Sequence, residues 1–255
     1  MVQRIPAQER GALWPLFGDT QETMVWSCLQ GRMGEVLADR GENAACALAL
    51  LGDFGFFGGD ACSPGAGELL GYVAGLPAGR ILTGGREWLA RLEAYFGDRV
   101  KAVTRYAICK GTEFDRGKLE KLAGALPEGF VMRQIDRELY GQCLESGWAA
   151  DFVSCFGGWE PYERWGLGFV ALKDGALAAG ASSYTAYEGG IEIEVDTKEE
   201  FRRQGLAAAC GARLILACLD RGLYPSWDAA NLASVGLAEK LGYTPGEEYR
   251  CLVLA

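Results

Sequence analysis

The chain has 255 residues, no histidine, and 25 lysines and arginines against 34 aspartates and glutamates, for a formal net charge of −9 at pH 7. That length accommodates one large domain or two of about 125 residues each. An acidic balance with no run of five basic residues argues against nucleic acid as a partner and suits cationic small molecules, because phosphate contacts demand clustered cations. Without histidine there is no Ser-His-Asp or Cys-His chemistry and no imidazole-ligated metal, which leaves carboxylates, Tyr, Cys, Lys and backbone groups as the available catalysts.

The nine cysteines (28, 46, 62, 109, 143, 155, 210, 218 and 251) are odd in number and never in Cys-x-x-Cys spacing. Neither a disulfide framework nor a zinc site is implied, no metal is expected, and the cysteines read as reduced core fillers. The first ten residues lack the apolar centre of a signal peptide, and no apolar run reaches the ~20 residues of a membrane helix. The expectation is a cytoplasmic protein without a membrane partner.

In chain order, residues 7–17 and 23–37 read as helices, and residues 44–51 and 54–57 as a hairpin around Gly52-Asp53. The Gly-, Pro- and Ala-rich stretch 60–79 is ambiguous. A strand at 80–83, a helix at 86–96 with Trp88, Leu89, Leu92 and Phe96 on one face, a strand at 100–109 and a polar helix at 115–126 follow. Next come a strand at 130–135 and a helix at 137–146. The segment 148–165 carries Trp148, Phe152, Phe156, Trp159, Tyr162 and Trp165 interleaved with Asp151, Glu160 and Glu163; such aromatics are mainly core. Residues 168–173 and 176–187 form a hairpin around Asp174-Gly175.

From Ile191 to Val195 apolar and acidic residues alternate strictly, the period of a strand with one apolar and one polar face. A short polar linker leads to Arg202-x-x-Gly205-x-Ala207 and an apolar run to Arg221, a helix apolar nearly all round and so largely covered. Small residues and a cation at a helix start make an anion site, because first-turn amides lack intrahelical partners and sit at the positive end of the helix dipole. A short parallel strand at 224–228 follows. Asn231 caps a helix that Gly242 ends, and residues 249–254 form a closing strand.

Strand, Arg-x-x-Gly-x-Ala and helix, then Pro225-Ser226-Trp227-Asp228-Ala229-Ala230-Asn231 and Glu239-Lys240-Leu241-Gly242-Tyr243, resemble the acyl-CoA loop and C-terminal ending of the GNAT N-acetyltransferase superfamily. The wording of the second motif resembles the bacterial subgroup containing zwittermicin A resistance acetyltransferases. The resemblance covers roughly the C-terminal half. It implies an α+β fold, a mixed and mostly antiparallel twisted sheet flanked by helices, in a catalytic domain at residues 127–255. Residues 1–126 are an accessory α/β domain, read either as a degenerate second copy of the same fold or as an unrelated module. In that half the loop between Thr83 and Trp88 has Gly84-Gly85 and no Arg-x-x-Gly-x-Ala.

The resemblance implies acetyl-CoA as co-substrate and a small primary amine as acceptor, attacked directly, in a monomer or homodimer, and gives the aromatic and acidic segment 148–165 a second reading, as the wall of the acceptor pocket. The backbone amides of Arg203, Gln204, Gly205, Leu206 and Ala207, with the charge of Arg202, would grip the pyrophosphate. Val195 and Thr197 would border pantetheine, with the Val195 N–H toward the thioester carbonyl, and Asn231 and Ser234 would face the cofactor. Glu192 or Glu194, two apart on one strand face that Asp196 continues, would be the base; otherwise the row is a solvated face. One departure stands out. The family's Tyr just before Glu-Lys-x-Gly is Ala238 here, which keeps open an acyl-CoA-binding protein with weak catalysis, or a regulatory one.

Overall fold

The computed structural model describes residues 2–41 and 43–255. The chain divides into two compact units, one of residues 1–105 with 248–255, the other of residues 106–247. The sequence reading places its boundary at 126/127 and ends each domain only once; here the unit containing the N-terminal half takes back residues 248–255.

In the first unit, β1 (Gln3–Arg4) is followed by a 3-10 segment (Ala7–Leu13) running into α1 (Trp14–Phe17), then α2 (Thr23–Leu29). The expected helix over 23–37 stops at Leu29, because Gly31 and Gly34 take φ of 68° and 65° and turn the chain into β2 (Glu35–Ala38). Adding a Cβ at Gly34 would bring it 2.5 Å from the Leu50 carbonyl oxygen, so glycine is required there. β3 (Cys46–Leu51) and β4 (Phe54–Gly59) form the expected hairpin. The ambiguous 60–79 stretch holds α3 (Ala66–Val73), and β5 (Ile81–Gly84) then runs parallel to β4. α4 (Arg86–Phe96) buries Trp88, Leu92 and Phe96 against Leu48, Leu69 and Leu82. β6 (Val100–Ile108) carries the chain into the second unit.

The second unit opens with α5 (Arg116–Ala123), capped by the Asp115 carboxylate, and β7 (Phe130–Gln134). α6 (Arg137–Glu145) and α7 (Trp159–Trp165) follow, then the antiparallel β8 (Gly168–Lys173), β9 (Ala176–Tyr187) and β10 (Gly190–Thr197). Asp174 and Gly175 both have positive φ, 50° and 82°, as a two-residue hairpin with right-handed twist demands. α8 (Leu206–Leu219) is buried over most of its length, as its all-round apolarity requires. β11 (Tyr224–Ser226) lies parallel to β10; β12 (Asp228–Ala229) turns away to pair with Ala107 and Tyr106. α9 (Leu232–Leu241) follows, and β13 (Pro245–Leu254) ends in the first unit, where Leu252 pairs with Leu82.

Element order and pairing recur between the units. Each has a strand, two helical segments, a three-strand antiparallel meander, a helix, a strand parallel to the last of the meander and a further helix. No cysteine is in a disulfide. Cys28, Cys46, Cys143, Cys210, Cys218 and Cys251 are buried as fillers should be, whereas Cys62 and Cys109 are exposed and Cys155 is half-buried. Burial pushes the Cys28, Cys143, Cys210 and Cys218 thiols up to about 12, so these stay protonated. Among the described residues no helix is long and apolar enough to cross a membrane, and no group of three acidic or cysteine side chains is placed to hold a metal.

Candidate active site

β10 and β11 run side by side only from Gly190/Tyr224 to Glu192/Ser226, after which β10 continues to Thr197 on β9 while β12 departs. The strands therefore open into a wedge. The Tyr224 N–H donates to the Gly189 carbonyl on this side, and the Lys198 N–H donates to Ala178 on the other. Strand alternation then points the main-chain groups of Ile191, Ile193 and Val195 toward the wedge. The ladder shift between Glu192 and Ile193 skips Tyr184 on β9, so it leaves the alternation of β10 intact.

A cavity of about 640 Å³ occupies the wedge and the start of α8. It brings together Val195, Thr197, Arg202, Arg203, Gly205, Leu206, Ala207, Asn231 and Ser234. Gln204 is exposed and outside that lining; Glu192, buried, and Glu194, half-buried, also lie outside it. The loop is shaped by its backbone. Arg203 and Gly205 both take left-handed conformations, φ 62° and 86°, and a Cβ on Gly205 would have nothing within 4 Å. The first bond of the α8 ladder runs from the Ala209 N–H to the Gly205 carbonyl, so the amides of Leu206, Ala207 and Ala208 precede it and point out of the helix end.

Arg202 fixes the loop to the end of β10: its Nε donates to the Thr197 carbonyl at 3.1 Å, and its guanidinium lies 3.9 Å from Asp196. The Thr197 hydroxyl is buried in the cavity wall without a hydrogen-bond partner, a costly state that an incoming polar ligand would relieve. Asn231 caps α9 through the Ser234 N–H at 3.0 Å, and the Ser234 hydroxyl accepts from the Trp227 indole at 3.1 Å.

Glu192 and Glu194 occupy the other face of β10, and the alternative of a solvated carboxylate row does not hold at Glu192. Glu192 is only 5 % exposed, because the 3-10 turn Ala150–Phe152 packs on β9 and β10 and α7 closes over β9. The Tyr162 hydroxyl meets Ser182 at 2.9 Å, and Ser182 is the cross-strand partner of Glu194. Tyr187 meets Ser226, the partner of Glu192, also at 2.9 Å. Burial pushes the Tyr187 phenol up to about 12. The aromatic segment is thus the roof of a polar face: Phe152, Phe156 and Tyr162 are buried, and Trp148, Trp159 and Trp165 are half-buried.

Ala238 is fully buried and does not line the cavity. Tyr243 packs in the core as its sequence position suggests, with its ring 5.5 Å from Trp227 and its hydroxyl donating to the Pro225 carbonyl at 2.6 Å. Burial raises its phenol far above the usual value.

A family model described as GNAT acetyltransferase matches residues 14–252. The chain belongs to the GNAT acetyltransferase family. The uncharacterized N-acetyltransferase YdfB of Bacillus subtilis (strain 168) is 29% identical over 126 residues, 49% of this chain and 48% of that protein; the chain thus spans about half the length of this curated relative. The crystal structure of a GCN5-related N-acetyltransferase-like protein from Streptococcus suis 89/1591 is 46% identical, with a TM-score of 0.91 over 98% of this chain and all of that one. A tandem GNAT protein from the clavulanic acid biosynthesis pathway, 14% identical with a TM-score of 0.52 over 99% and 98% of the two chains, shares the fold.

The sequence reading assigns four lining residues no role at the cofactor: Phe201 and Leu237, and Trp227 and Lys240, which stand inside the sequence motifs. Leu237 and Lys240 follow Ser234 at three-residue steps, so the helix face that carries Ser234 implies them. Phe201 has no such signal.

Proposed function

We propose that the protein is an N-acetyltransferase that moves an acetyl group from acetyl-CoA to a primary amine of a small molecule, by direct attack, in the second unit. The observation that carries this reading is one cavity joining the opened β10/β11 wedge to the start of α8. The amides from Arg203 to Ala207 and the Arg202 charge would hold the pyrophosphate. Gly205 leaves the approach clear, and the Thr197 hydroxyl offers an unused polar atom along the slot. The residues present therefore fit acetyl-CoA, which supplies the activated acetyl carbonyl.

The Val195 N–H, directed into the wedge, would donate to that carbonyl as negative charge develops on its oxygen. Glu192, buried at the vertex of the wedge, or Glu194 beside it, would take the ammonium proton of the acceptor. The acceptor would enter beneath the aromatic and acidic roof of residues 148–165. The acidic surface and the Pro225–Asn231 wording favour an amine of the amino-antibiotic kind, as in zwittermicin A resistance acetyltransferases.

The first unit repeats the element order, which supports a degenerate GNAT copy at the N-terminal side. Its parallel strands stay paired from Phe54/Ile81 to Phe57/Gly84, and Trp88 closes their end, its indole donating to the Gly59 carbonyl at 2.9 Å. A cavity of about 630 Å³ does lie at the ends of these strands, lined by Phe57, Gly59, Thr83, Gly85 and Trp88, but its loop carries no Arg-x-x-Gly-x-Ala. The test of function is thiol release from acetyl-CoA across a panel of polyamines, amino sugars and aminoglycosides, with the acetylated product identified by mass. A buried alanine in place of the usual Tyr favours a second reading, an acyl-CoA-binding regulator, and CoA binding without turnover on any amine would establish it.

A further inference from the structure

The two units can be aligned by strand register. Each hairpin turn is closed by a matched pair, Leu51/Phe54 in the first unit and Tyr187/Gly190 in the second. The parallel ladder starts from the same residues, Phe54 on Ile81 and Gly190 on Tyr224. Two steps on, Phe56 faces Thr83 where Glu192 faces Ser226, and Gly58 stands where Glu194 does. The first unit thus has no carboxylate at either strand position from which a base would act, and its cavity is suited to binding without reaction.

Phe56 and Thr83 line that cavity of about 630 Å³ together with Leu16, Phe17 and Val25. α1 comes this close to β4 because Gly58 has no Cβ; one there would lie 2.9 Å from the Phe17 ring. Thr83 is only 9 % exposed, and among the described residues its hydroxyl has no hydrogen-bond partner. The register explains why. Ser226 is met by Tyr187, but the matching residue in the first unit is Leu51, whose side chain has no polar atom. A buried hydroxyl facing a cavity is relieved by a polar ligand.

The start of α4 borders the same cavity. Its cap is Gly85, which has no side chain to offer, and the first α4 bond runs from the Leu89 N–H to the Gly85 carbonyl. The amides of Arg86, Glu87 and Trp88 therefore have no partner in the helix. These amides, the Arg86 guanidinium and the Thr83 hydroxyl all suit a carboxylate. Glu22 and Glu87 also line the cavity and would repel a simple anion, but they suit an ammonium group. A zwitterion answers both signs.

We propose that this cavity binds a free amino acid with a large apolar side chain. Its carboxylate meets the α4 amides and Thr83, its ammonium faces Glu22, and its side chain lies on Phe17, Val25 and Phe56. The site goes beyond the acetyltransferase reading and does not depend on it. Its volume falls within the roughly 300–1,000 Å³ of small-molecule pockets.

Calorimetry on the full chain tests this with L-phenylalanine, L-tryptophan and L-leucine, and with two analogues: 3-phenylpropionate, which lacks the ammonium, and phenylalaninamide, which lacks the carboxylate. At least one amino acid should bind, and phenylalanine should bind roughly tenfold or more tighter than either analogue, because each analogue gives up charge-assisted hydrogen bonds. Thr83→Val keeps the shape, removes the hydroxyl and should weaken amino-acid binding by roughly fivefold. Gly85 sits at φ −59° and ψ 164° with nothing within 4 Å of an added Cβ, so the carboxylate of Gly85→Asp can cap the amides in the ligand's place. That variant should melt at or above the wild-type temperature and bind the amino acid roughly tenfold or more weakly. Gly205→Glu, in the other unit, should bind it as the wild type does. The proposal is overturned if none of the three amino acids binds at millimolar concentration, if either analogue binds as tightly as phenylalanine, if CoA displaces the amino acid, or if Thr83→Val or Gly85→Asp keeps full affinity.

Discussion

Glu192 and Ser226 face each other as the last pair of the parallel ladder between β10 and β11. One step further the strands have parted, so the only buried carboxylate among the described residues stands where the wedge begins. Position and burial both favour Glu192 over Glu194 as the group that takes the proton.

Glu192→Gln should therefore lower kcat by ~10²-fold or more while KM for acetyl-CoA changes little, since the loop proposed to grip the cofactor is on another segment. Glu194→Gln should be milder. Steady-state kinetics with the best amine of the panel measures this. Full kcat in both variants would move the base to the roof, around Glu160 and Glu163.

Gly205 is constrained twice, by its left-handed φ and by the open approach in front of it. Gly205→Ala should cost about 1 kcal/mol of stability through the backbone alone and leave CoA binding measurable. Gly205→Glu adds a side chain and a negative charge at the helix N-terminus and should abolish CoA binding with a similar loss of stability. Calorimetry paired with thermal melts separates the two effects, and wild-type affinity in the Glu variant would contradict the cofactor site.

Tyr243 offers a contrast, because its hydroxyl is a structural donor. Tyr243→Phe leaves the buried Pro225 carbonyl without its 2.6 Å partner and should destabilise by about 1–3 kcal/mol. Its phenol stays protonated far beyond neutral pH, so the pH profile of kcat should keep its shape in the variant. A lost alkaline limb would show that the phenol titrates in the reaction.

Asp136 caps α6 by accepting from the Leu139 N–H at 3.0 Å. That bond, with Arg133 nearby, holds its carboxyl below the ordinary 3.8. A depressed folded-state pKa means the contribution is fully present above 3.8 and is lost as pH falls through the lower folded value. Asp136→Ala should cost about 1 kcal/mol at pH 7, and the difference from wild type should vanish at acid pH. Urea titrations at pH 7 and near pH 2.5 check both parts; a constant difference would refute the capping role.

The sequence revealed most where local chemistry and tertiary demand coincide. The Ile191–Val195 alternation, the Asp174-Gly175 turn and the Asn231 and Gly242 caps each specify one local geometry, and the structure has it. The 23–37 segment misleads because its apolar spacing continues past Leu29 while Gly31 and Gly34 turn the backbone. Glu192 looks solvated in the strand pattern, since alternation reports a face and says nothing of what covers it. The cover, Phe152 and Tyr162, lies thirty to forty residues earlier. The return of residues 248–255 to the first unit has no local signal at all, being a matter of which open strand edge the last strand finds.

That return sets a timetable. Leu82 pairs with Gly55 on one side, and its other side is met only when Leu252 exists, roughly 170 residues later. At about 5–20 residues per second, a ribosome needs roughly ten to thirty seconds to supply it. Throughout that interval the nascent first unit carries an unmet strand edge, the kind of surface that invites pairing with a stranger.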